Sequence, residues 1–532
     1  MMRYAPLLLT LWFVLGLLTI GLAPLFDYDE TVYAQTALDM MRHGQWLVPE
    51  ANGMRFFEKP PFVYYLMDIG FRLFGENAFA ARLPSLIATL LTSLTLLWAG
   101  TKLFDRAFGW LAALIYLSLF EVGFLAHAAI LDAVLNLFIT VTLICYLLWR
   151  HEQRPAWLRM AALSAGIAVS IKGPVGIVIP ALVILAERIW DRRAWRTTHA
   201  IPWLSSLLLF LLAATPWYVM IAIANGPEFL YEFIWVHNIG RAMHQMQGHG
   251  GGWHYYFVVF ALSVLPWLAW QPRMFRHAIR YARSASPPET LLARMCLPWI
   301  ALVIALFTCV QTKLPHYISC IYPAVALLLA LLVRKSQHTG NARLPLATAC
   351  ILAPFSLFLL TMPWLYPKLA HWVHHPRARA ILTQPIQPDI SLPLAGLALA
   401  CVLFWLIKAR RPETAWRMII VGMMLQLLLL VSAGTFAARL IQGPLLNIAD
   451  QVRRAPLETP LYSLHLNAPS VSFYAGRNYR IIDAKRLEAL LAEQRPFLLM
   501  LRSEARNELP PALQHQRPLL TQGGYLLYQV QP

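Results

Sequence analysis

The sequence has few charged residues and few cysteines for a chain of its length. Only 13% of its 532 residues are Asp, Glu, Lys or Arg, whereas 58% are hydrophobic, and the mean hydropathy is +0.54. A soluble domain needs more polar surface than this, so the composition excludes an ordinary soluble globular protein. The six cysteines all lie in apolar segments without disulfide or zinc spacing, which excludes a disulfide scaffold and a paired-cysteine metal site.

Acidic residues are the scarcer charge. The 26 Asp and Glu stand against 44 Lys and Arg, which gives a net charge of +18. Most basic residues lie in alternate loops between apolar runs, and no nucleic-acid-binding motif accompanies them, so we do not expect DNA or RNA as a partner. A basic bias in alternate loops is typical of the cytoplasmic loops of bacterial inner-membrane proteins. We therefore expect a multi-pass inner-membrane protein with its N-terminus in the cytoplasm.

Long apolar runs are abundant. Runs of roughly 18 to 22 residues recur up to about Arg439, and each can cross a hydrocarbon core of about 30 Å as a helix. The predicted fold is an all-α polytopic membrane protein, with a transmembrane domain over residues 1–440. We predict about thirteen spanning helices, over 6–24, 82–100, 108–126, 130–149, 157–171, 173–187, 199–223, 254–271, 293–311, 317–333, 345–366, 391–408 and 416–437.

Three longer segments fall outside these runs. Residues 26–82 predict two amphipathic helices at the membrane interface, Tyr28–His43 and Pro61–Phe74. Residues 225–253 form a second outer loop with a His- and Gly-rich tip. Residues 441–532 alternate short β-like and helical runs, which predicts a small periplasmic α/β domain without a phosphate-binding Gly loop or a catalytic triad.

The segment after the first span carries the densest group of charged residues. Asp29 and Glu30 follow the span directly, and Glu58-Lys59 precedes two prolines that fix the backbone and suit the start of a helix. Lys59 is therefore placed to meet an anionic headgroup. The alternative for Asp29 and Glu30 is helix capping, and the alternative for Glu58 and Lys59 is a surface ion pair of little energy.

Ionisable residues also occur at or near membrane depth. Glu121, His127 and Asp132 surround one short outer turn, and such groups usually mark a polar cavity because their burial in lipid is costly. Lys172 and Lys313 lie on two further short outer turns. Each either adds positive charge around a phosphate or anchors its helix by extending its ammonium to the interface.

The second outer loop contributes two further candidates. Arg241 offers a bidentate phosphate contact, and His237 can act through either ring nitrogen. The histidines of this loop match no zinc spacing, so the sequence does not by itself predict a metal site.

Taken in order, these motifs resemble the integral-membrane GT-C glycosyltransferases, and among them the bacterial transferases that attach 4-amino-4-deoxy-L-arabinose to lipid A. The resemblance covers roughly the first 330 residues, and any one motif alone would be weak. It rests on Asp29-Glu-Thr, Asn52-Gly-Met-Arg-Phe-Phe-Glu-Lys-Pro-Pro61, Leu73-Phe-Gly-Glu-Asn-Ala-Phe79, Leu131-Asp-Ala133, Lys172-Gly-Pro174, His237-Asn238 and Lys313-Leu-Pro-His-Tyr317.

The resemblance implies an inverting transfer of this sugar from undecaprenyl phosphate to a lipid A phosphate on the periplasmic face, a modification associated with antimicrobial-peptide resistance. It implies no required cofactor and allows a divalent metal between Glu58 and His237. The implied catalytic residues are Asp29, Glu58 and Lys59. The expected substrate-binding residues are Asp132, Lys172, His237 and Tyr317, to which charge adds Arg241 and Lys313.

Two positions depart from the usual family pattern. Val32 stands where Arg is usual, and Phe56 stands where Tyr is common. Loss of a cation and of a hydroxyl changes what a pocket can bind, so the carrier chemistry is better supported than the sugar or the acceptor. The alternatives are transfer to another glycolipid, a polysaccharide or a protein, and transport of the lipid-linked sugar. A transporter would need neither the charged loop after the first span nor the C-terminal domain.

Overall fold

The computed structural model describes residues 2–191, 201–240, 243, 250–284, 288–336, 343–384, 389–408 and 414–531. Most of the chain is helical up to residue 454. Helices α1 to α12 are Ala5–Thr19, Asp29–His43, Phe62–Phe74, Ala78–Leu103, Arg106–Ser118, Phe120–Ala126, Asp132–Glu152, Pro155–Lys172, Val175–Trp190, Trp203–Ala214, Pro216–Leu230 and Tyr255–Ser263. Helices α13 to α21 are Gln271–Arg283, Glu289–Cys309, Tyr322–Ser336, Arg343–Leu369, Pro376–Leu382, Ser391–Ile407, Thr414–Leu428, Thr435–Ile441 and Gly443–Arg454.

The membrane body agrees with the predicted fold class. Each of the thirteen predicted spans overlaps helical structure, including the π-helical Leu429–Gly434 that joins α19 to α20. Within the described residues, six helical segments are long and apolar enough to cross a membrane, or eight if two bent pairs each count as one span. Helices α1 and α18 are shorter and apolar. The chain is thus a multi-pass membrane protein, and the number thirteen stays a prediction.

Helix α7 and the segment Pro315–Lys335 lie inside the bundle. In each, 89% of the most apolar window is buried by protein, whereas only 33% is buried in Leu344–Leu369. Helix α7 begins at Asp132, and the 3-10 turn Pro315–Ile321 precedes α15. The polar starts of two interior segments therefore meet at one end of the bundle, where the predicted site residues lie.

Helices α5 and α6 form a bent pair. The bend is 71° at Leu119, whose backbone is extended rather than helical. A break at membrane depth frees carbonyl groups that lipid cannot hydrogen-bond. The buried Gln426 amide donates to the carbonyls of Leu117 and Leu119, at 2.8 and 2.6 Å, and its oxygen accepts from Trp12 Nε1 at 3.1 Å. Gln426 therefore makes the bend tolerable within the bilayer.

The two predicted interfacial helices are present. Helix α2 begins at Asp29 and ends at His43, and the following Gly44, with a φ of 64°, is its left-handed C-terminal cap. Helix α3 begins at Phe62, directly after the two prolines. Between them, Glu50–Ala51 (β1) and Met54–Arg55 (β2) form a short hairpin. Its turn residues, Asn52 and Gly53, have φ values of 55° and 74°, which an Asn-Gly pair adopts readily.

The C-terminal segment folds as an α/β unit. Its strands are Leu461–Leu464 (β3), Arg480–Ile482 (β4), Phe497–Arg502 (β5), Leu520–Gln522 (β6) and Tyr525–Val530 (β7). They form one mixed sheet in the order β4-β3-β5-β7-β6, in which β4, β3 and β5 are parallel and the last two pairings are antiparallel. Its helices are Pro469–Ala475 (α22), Ala484–Ala492 (α23) and Pro511–Gln514 (α24).

A buried ion pair joins the start of α2 to α4. Arg82 donates through Nε and Nη2 to the two oxygens of Glu30, at 2.8 and 2.7 Å. The same carboxylate accepts the backbone N–H groups of Phe26 and Ala129, and Arg82 also donates to carbonyls of the chain that leaves α1. The pair therefore holds three segments together.

Arg82→Met should destabilise the folded protein strongly, because it leaves the Glu30 carboxylate buried without its cation. The expected loss is about 3–5 kcal/mol, as for other buried pairs that lose one partner. Thermal unfolding in detergent, followed by tryptophan fluorescence, would show a lower midpoint. Arg42→Met is the matched control, because the Arg42–Glu76 pair is about one-third exposed and is worth about 0–1 kcal/mol. Equal midpoints for the two variants would contradict the assigned importance of Glu30 and Arg82.

Candidate active site

Two cavities meet at the end of the bundle that carries α2 and α3. The Asp29 cavity encloses about 450 Å³, and its charged and titratable lining residues are Asp27, Tyr28, Asp29, Glu30, Arg82, His127 and His316. The Lys59 cavity encloses about 530 Å³, and its polar lining includes Lys59, Asp132, Asn136, Lys172, His237 and Tyr317. Five of the nine predicted catalytic and substrate-binding residues therefore line one cavity, and Asp29 lines the other.

Asp29 is the first residue of α2 and lines its cavity at the membrane boundary. Its side chain accepts no hydrogen bond from any residue that the structure describes, whereas Glu30 is fully engaged with Arg82. The N-terminus of α2 has no side-chain capping bond from Tyr28. Asp29 makes no side-chain capping bond, but it lies in the first turn of α2, where a carboxylate also favours the helix dipole. Glu30 has a structural role, and it fixes the helix on which Asp29 stands.

The β1–β2 hairpin, which precedes Lys59, and the two prolines that follow it determine the position of Lys59. Its side chain is buried, and Nζ donates to the Glu58 carbonyl at 3.0 Å. The hairpin is held by Asp39, which accepts the Asn52 N–H at 2.8 Å, and burial raises the pKa of the Asp39 carboxyl. On the other side, Phe57 packs edge-to-face on Phe229. A lysine buried in a cavity wall is not the exposed surface ion pair considered from sequence.

Asp132 stands between the two cavities. Its Oδ1 accepts from Lys172 Nζ at 2.6 Å, and its Oδ2 lies 3.7 Å from Nε2 of His316. Lys172 is the last residue of α8, and His316 lies in the 3-10 turn Pro315–Ile321. Because Asp132 lines the Lys59 cavity and His316 lines the Asp29 cavity, this contact is where the two spaces adjoin.

Tyr317 and Asn136 complete the polar wall of the Lys59 cavity. The Lys172 ammonium lies 5.1 Å from the centre of the Tyr317 ring, within cation–π range. Asn136 is one helical turn beyond Asp132 and donates to Ser319 Oγ at 2.9 Å. His237, in the π-helical segment Tyr231–Gly240, lines the same cavity from the second outer loop.

His127 lines the Asp29 cavity as a neutral ring. Nε2 lies 2.8 Å from Thr19 Oγ1, and Nδ1 lies 2.8 Å from the Gly123 carbonyl. Burial lowers the pKa of His127 below its ordinary value near 6.5, so the ring carries no charge at neutral pH. The side chain therefore supplies hydrogen bonding rather than positive charge.

Other candidates lie elsewhere. Lys313 is buried, and its ammonium donates to the carbonyls of Thr308 and Val310, so it satisfies the C-terminal end of α14 and lines neither cavity. Glu58 and Glu121 are likewise absent from both linings. Arg241 lies outside the described residues.

The donor set is too small for a closed metal site. Glu58 and His237 would supply one carboxylate and one imidazole, whereas catalytic zinc sites use three protein ligands. Among the described residues, no group of three or more His, Cys, Asp and Glu side chains is arranged to hold a metal. A metal between Glu58 and His237 stays a prediction.

The Lys59 cavity combines cations with apolar walls. Beside Lys59 and Lys172, its lining includes the apolar side chains of Leu135, Val175, Val178, Ile179, Leu306 and Phe307. An amphiphile with an anionic head and a hydrocarbon tail matches this division. The Asp29 cavity offers carboxylates and histidines instead. A group that is attached to a phosphate in the Lys59 cavity can therefore meet a second substrate in the Asp29 cavity.

Sequence reasoning missed several polar residues of the two cavities, namely Asp27, Tyr28, Arg82, Asn136 and His316. His316 lies inside the quoted motif Lys313–Tyr317 but was not singled out, although its neighbour Tyr317 was. Asn136 lies four residues after Asp132, a spacing that puts both side chains on one face of α7, and this signal was available.

The functional segment matches a known family. A sequence model of the family described as Dolichyl-phosphate-mannose-protein mannosyltransferase matches residues 58–219. This range begins at Glu58 and includes Lys59, Asp132 and Lys172.

Curated relatives share one name. The protein named Undecaprenyl phosphate-alpha-4-amino-4-deoxy-L-arabinose arabinosyl transferase from Aeromonas salmonicida is 31% identical over 367 residues, which are 68% of this chain and 66% of that one. The protein of the same name from Yersinia enterocolitica is 31% identical over 379 residues, again 68% and 66% of the two chains. The matched region thus spans just under two thirds of the relatives' length.

The fold matches a solved structure over nearly its whole length. The crystal structure of ArnT from Cupriavidus metallidurans bound to undecaprenyl phosphate superposes with a TM-score of 0.82, at 19% identity, covering 99% of this chain and 98% of that one. The likeness includes the C-terminal domain. The solved structure shows the shared fold, and the family match and the named relatives show that the chain belongs to the ArnT-like integral-membrane GT-C glycosyltransferases.

Proposed function

We propose that this glycosyltransferase moves 4-amino-4-deoxy-L-arabinose from undecaprenyl phosphate to a lipid A phosphate on the periplasmic face of the inner membrane. One observation carries the proposal: a cationic, apolar-walled cavity adjoins a carboxylate-lined cavity at the Asp132–His316 contact. Two substrates that must exchange one group can be held on the two sides of this contact. The names of the curated relatives support the choice of sugar and carrier.

The donor is assigned to the Lys59 cavity. Lys59 and Lys172 provide positive charge for a phosphate, and the aliphatic side chains of α7, α9 and α14 suit a polyprenyl chain. Asp132 holds the Lys172 ammonium at 2.6 Å, so that this cation is positioned before substrate arrives. A charge fixed in advance stabilises a developing anion without reorganising during the reaction.

The reaction is a direct displacement at the anomeric carbon. An oxygen of the acceptor phosphate forms a bond to the anomeric carbon. At the same time, the bond between the anomeric carbon and the oxygen of the carrier phosphate breaks. The electron pair of the broken bond leaves with undecaprenyl phosphate, where Lys59 and Lys172 stabilise the added charge. An acceptor phosphate is already anionic and needs no strong base. Asp29 then orients the sugar or acceptor and stabilises positive character at the anomeric carbon.

The two departures from the family pattern lie away from the proposed reaction centre. Val32 is buried on α2, with 3% of its surface exposed, and Phe56 is buried with its ring centre 6.5 Å from that of Tyr33. Neither side chain lines either cavity.

Purified protein in lipid vesicles should convert undecaprenyl-phosphate aminoarabinose and lipid A to aminoarabinose-modified lipid A, which mass spectrometry detects as a product of increased mass. Glycosylation only of a different glycolipid, a polysaccharide or a protein would keep the carrier chemistry and replace the acceptor. Movement of the donor across the vesicle membrane without any new glycosidic bond would support the transporter instead.

Asp29→Asn and Lys59→Ala should each lower kcat by about 100-fold or more, because each removes a charge that acts on the reacting atoms. Both variants should be expressed and inserted like the wild type, since Asp29 and Lys59 lie outside the membrane-spanning helices. Glu76→Gln and Lys102→Ala are matched controls in partly exposed surface pairs. Turnover at the wild-type rate in Asp29→Asn and Lys59→Ala would refute the site assignment.

The C-terminal domain should be periplasmic. Ser463 is fully buried in β3 and cannot report on this, whereas Ser503 is exposed. In a variant without the six native cysteines, Ser503→Cys should react with a membrane-impermeant maleimide in intact spheroplasts. Ala107→Cys, on a predicted cytoplasmic loop, should react only after lysis. The opposite pattern would reverse the proposed orientation.

A further inference from the structure

The C-terminal domain touches the chain segment that carries Asp29. Ser470, in α22, donates twice to the Asp27 carboxylate: its backbone N–H lies 3.0 Å from Oδ1, and its hydroxyl lies 2.5 Å from Oδ2. Thr31, on the first turn of α2, donates to the same carboxylate. Asp27 therefore links α22 to the helix turn that contains Asp29.

A second contact holds the same segment two residues earlier. The Leu25 N–H donates to the hydroxyl of Tyr474 at 2.8 Å. Burial raises the pKa of Tyr474 to about 12, so the hydroxyl stays protonated over the physiological range. Between Ser470 and Tyr474, Phe473 places its ring centre 6.0 Å from that of Phe71 on α3. Helix α22 thus docks on both interfacial helices.

Arg82 fixes the same segment from the membrane body. Its guanidinium donates to the carbonyls of Ile20, Ala23 and Pro24 and to the carboxylate of Glu30. The chain between α1 and α2 is therefore held from the membrane body by Arg82 and from the C-terminal domain by Ser470 and Tyr474. Residues that act as such fixed supports decide how accurately a catalytic side chain is placed.

We propose that the C-terminal domain is part of the catalytic unit, in which Ser470 and Tyr474 position Asp29 through Asp27 and Leu25. This rests on the proposed function of Asp29. The sequence-based expectation was a domain without a catalytic constellation, and the proposal agrees that it supplies no reacting group. Ser470, Tyr474 and Asp27 are positioning residues. A small displacement of a reacting group can lower a rate by about 100-fold, so these contacts have a measurable effect on turnover.

The first test compares two serines of one short helix. Ser470→Ala should lower kcat by about 10-fold while KM for each substrate stays within about twofold, because positioning acts on the transition state. Ser470→Thr keeps the hydroxyl and should restore most of the activity. Ser472→Ala is the control, since Ser472 is equally buried and its hydroxyl has no hydrogen-bond partner among the described residues. It should keep wild-type kcat.

A double-mutant cycle tests whether the effect passes through Asp27. Asp27→Asn should lower kcat at least as much as Ser470→Ala, because the Asp27 carboxylate also accepts from Thr31, and the double variant should be little worse than Asp27→Asn alone. Simple multiplication of the two effects would contradict coupling. A rise in KM without a fall in kcat would show that the domain binds substrate and does not position Asp29.

Hydrogen exchange gives a readout that does not depend on transfer activity. Tyr474→Phe removes the acceptor of the Leu25 N–H and should speed deuterium uptake in the peptide that contains Leu25. Tyr528→Phe is the control, because Tyr528 is buried in β7 of the C-terminal domain and its hydroxyl has no hydrogen-bond partner among the described residues. Unchanged exchange in Tyr474→Phe would overturn the proposal.

The two hypotheses fail in different ways. If the wild type transfers sugar but Ser470→Ala and Asp27→Asn match Ser472→Ala, the positioning proposal is wrong and the transferase function stands. If the wild type forms no product from the aminoarabinose donor and lipid A, the proposed function fails. In that case the exchange data alone decide whether α22 holds the Asp29 segment.

Discussion

The buried pair of Glu30 and Arg82 is the interaction on which the site depends. Its carboxylate accepts four hydrogen bonds, from Arg82 twice, from Phe26 and from Ala129. Asp29 directly precedes Glu30, and Asp132 follows Ala129 by three residues. One carboxylate therefore fixes the relative positions of the two acids that line the two cavities. Ionised groups are tolerated at such burial only when their partners are complete, which explains why Arg82 also donates to backbone carbonyls.

Asp132 contacts a charged or titratable side chain of each cavity. By binding Lys172 at 2.6 Å, Asp132 reduces the net positive charge of the Lys59 cavity and fixes the position of the Lys172 ammonium. By lying 3.7 Å from His316 it places a titratable ring on the side of Asp29. The cavity is thus a preorganised arrangement of opposite charges, which suits a reaction that moves negative charge from the sugar bond to a carrier phosphate.

Much of the fold could be predicted because its signals are local. The thirteen apolar runs overlap helical structure, and α2 and α3 begin and end within a residue or two of their predicted limits, since caps and prolines mark their ends. Four strands of the C-terminal sheet also follow the β-like runs that the sequence predicts over 460–465, 480–483, 497–502 and 524–530. Strand β6, only Leu520–Gln522, was missed because its partner β7 determines it more than its own residues do.

Many residues of the site could be predicted from the sequence, but the contacts between them could not. Asp29, Lys59, Asp132, Lys172, His237 and Tyr317 could be proposed from charge and motif, and each lines a cavity. No local pattern shows that Glu30 pairs with Arg82, 52 residues away, or that Ser470 bonds Asp27, 443 residues away. Lys313 shows the converse, because its charge suggested a phosphate contact, whereas its ammonium donates to carbonyls at the end of the preceding helix α14.

The stereochemistry of transfer tests the central claim most directly, because a single displacement between two adjoining cavities must invert the anomeric carbon. The measurement is the anomeric configuration of the sugar in the purified product, determined by NMR and compared with that of the undecaprenyl-phosphate donor. The account predicts the opposite configuration in the product. A retained configuration would require a sugar bound covalently to the protein between two displacements, and would contradict direct transfer across the Asp132–His316 contact.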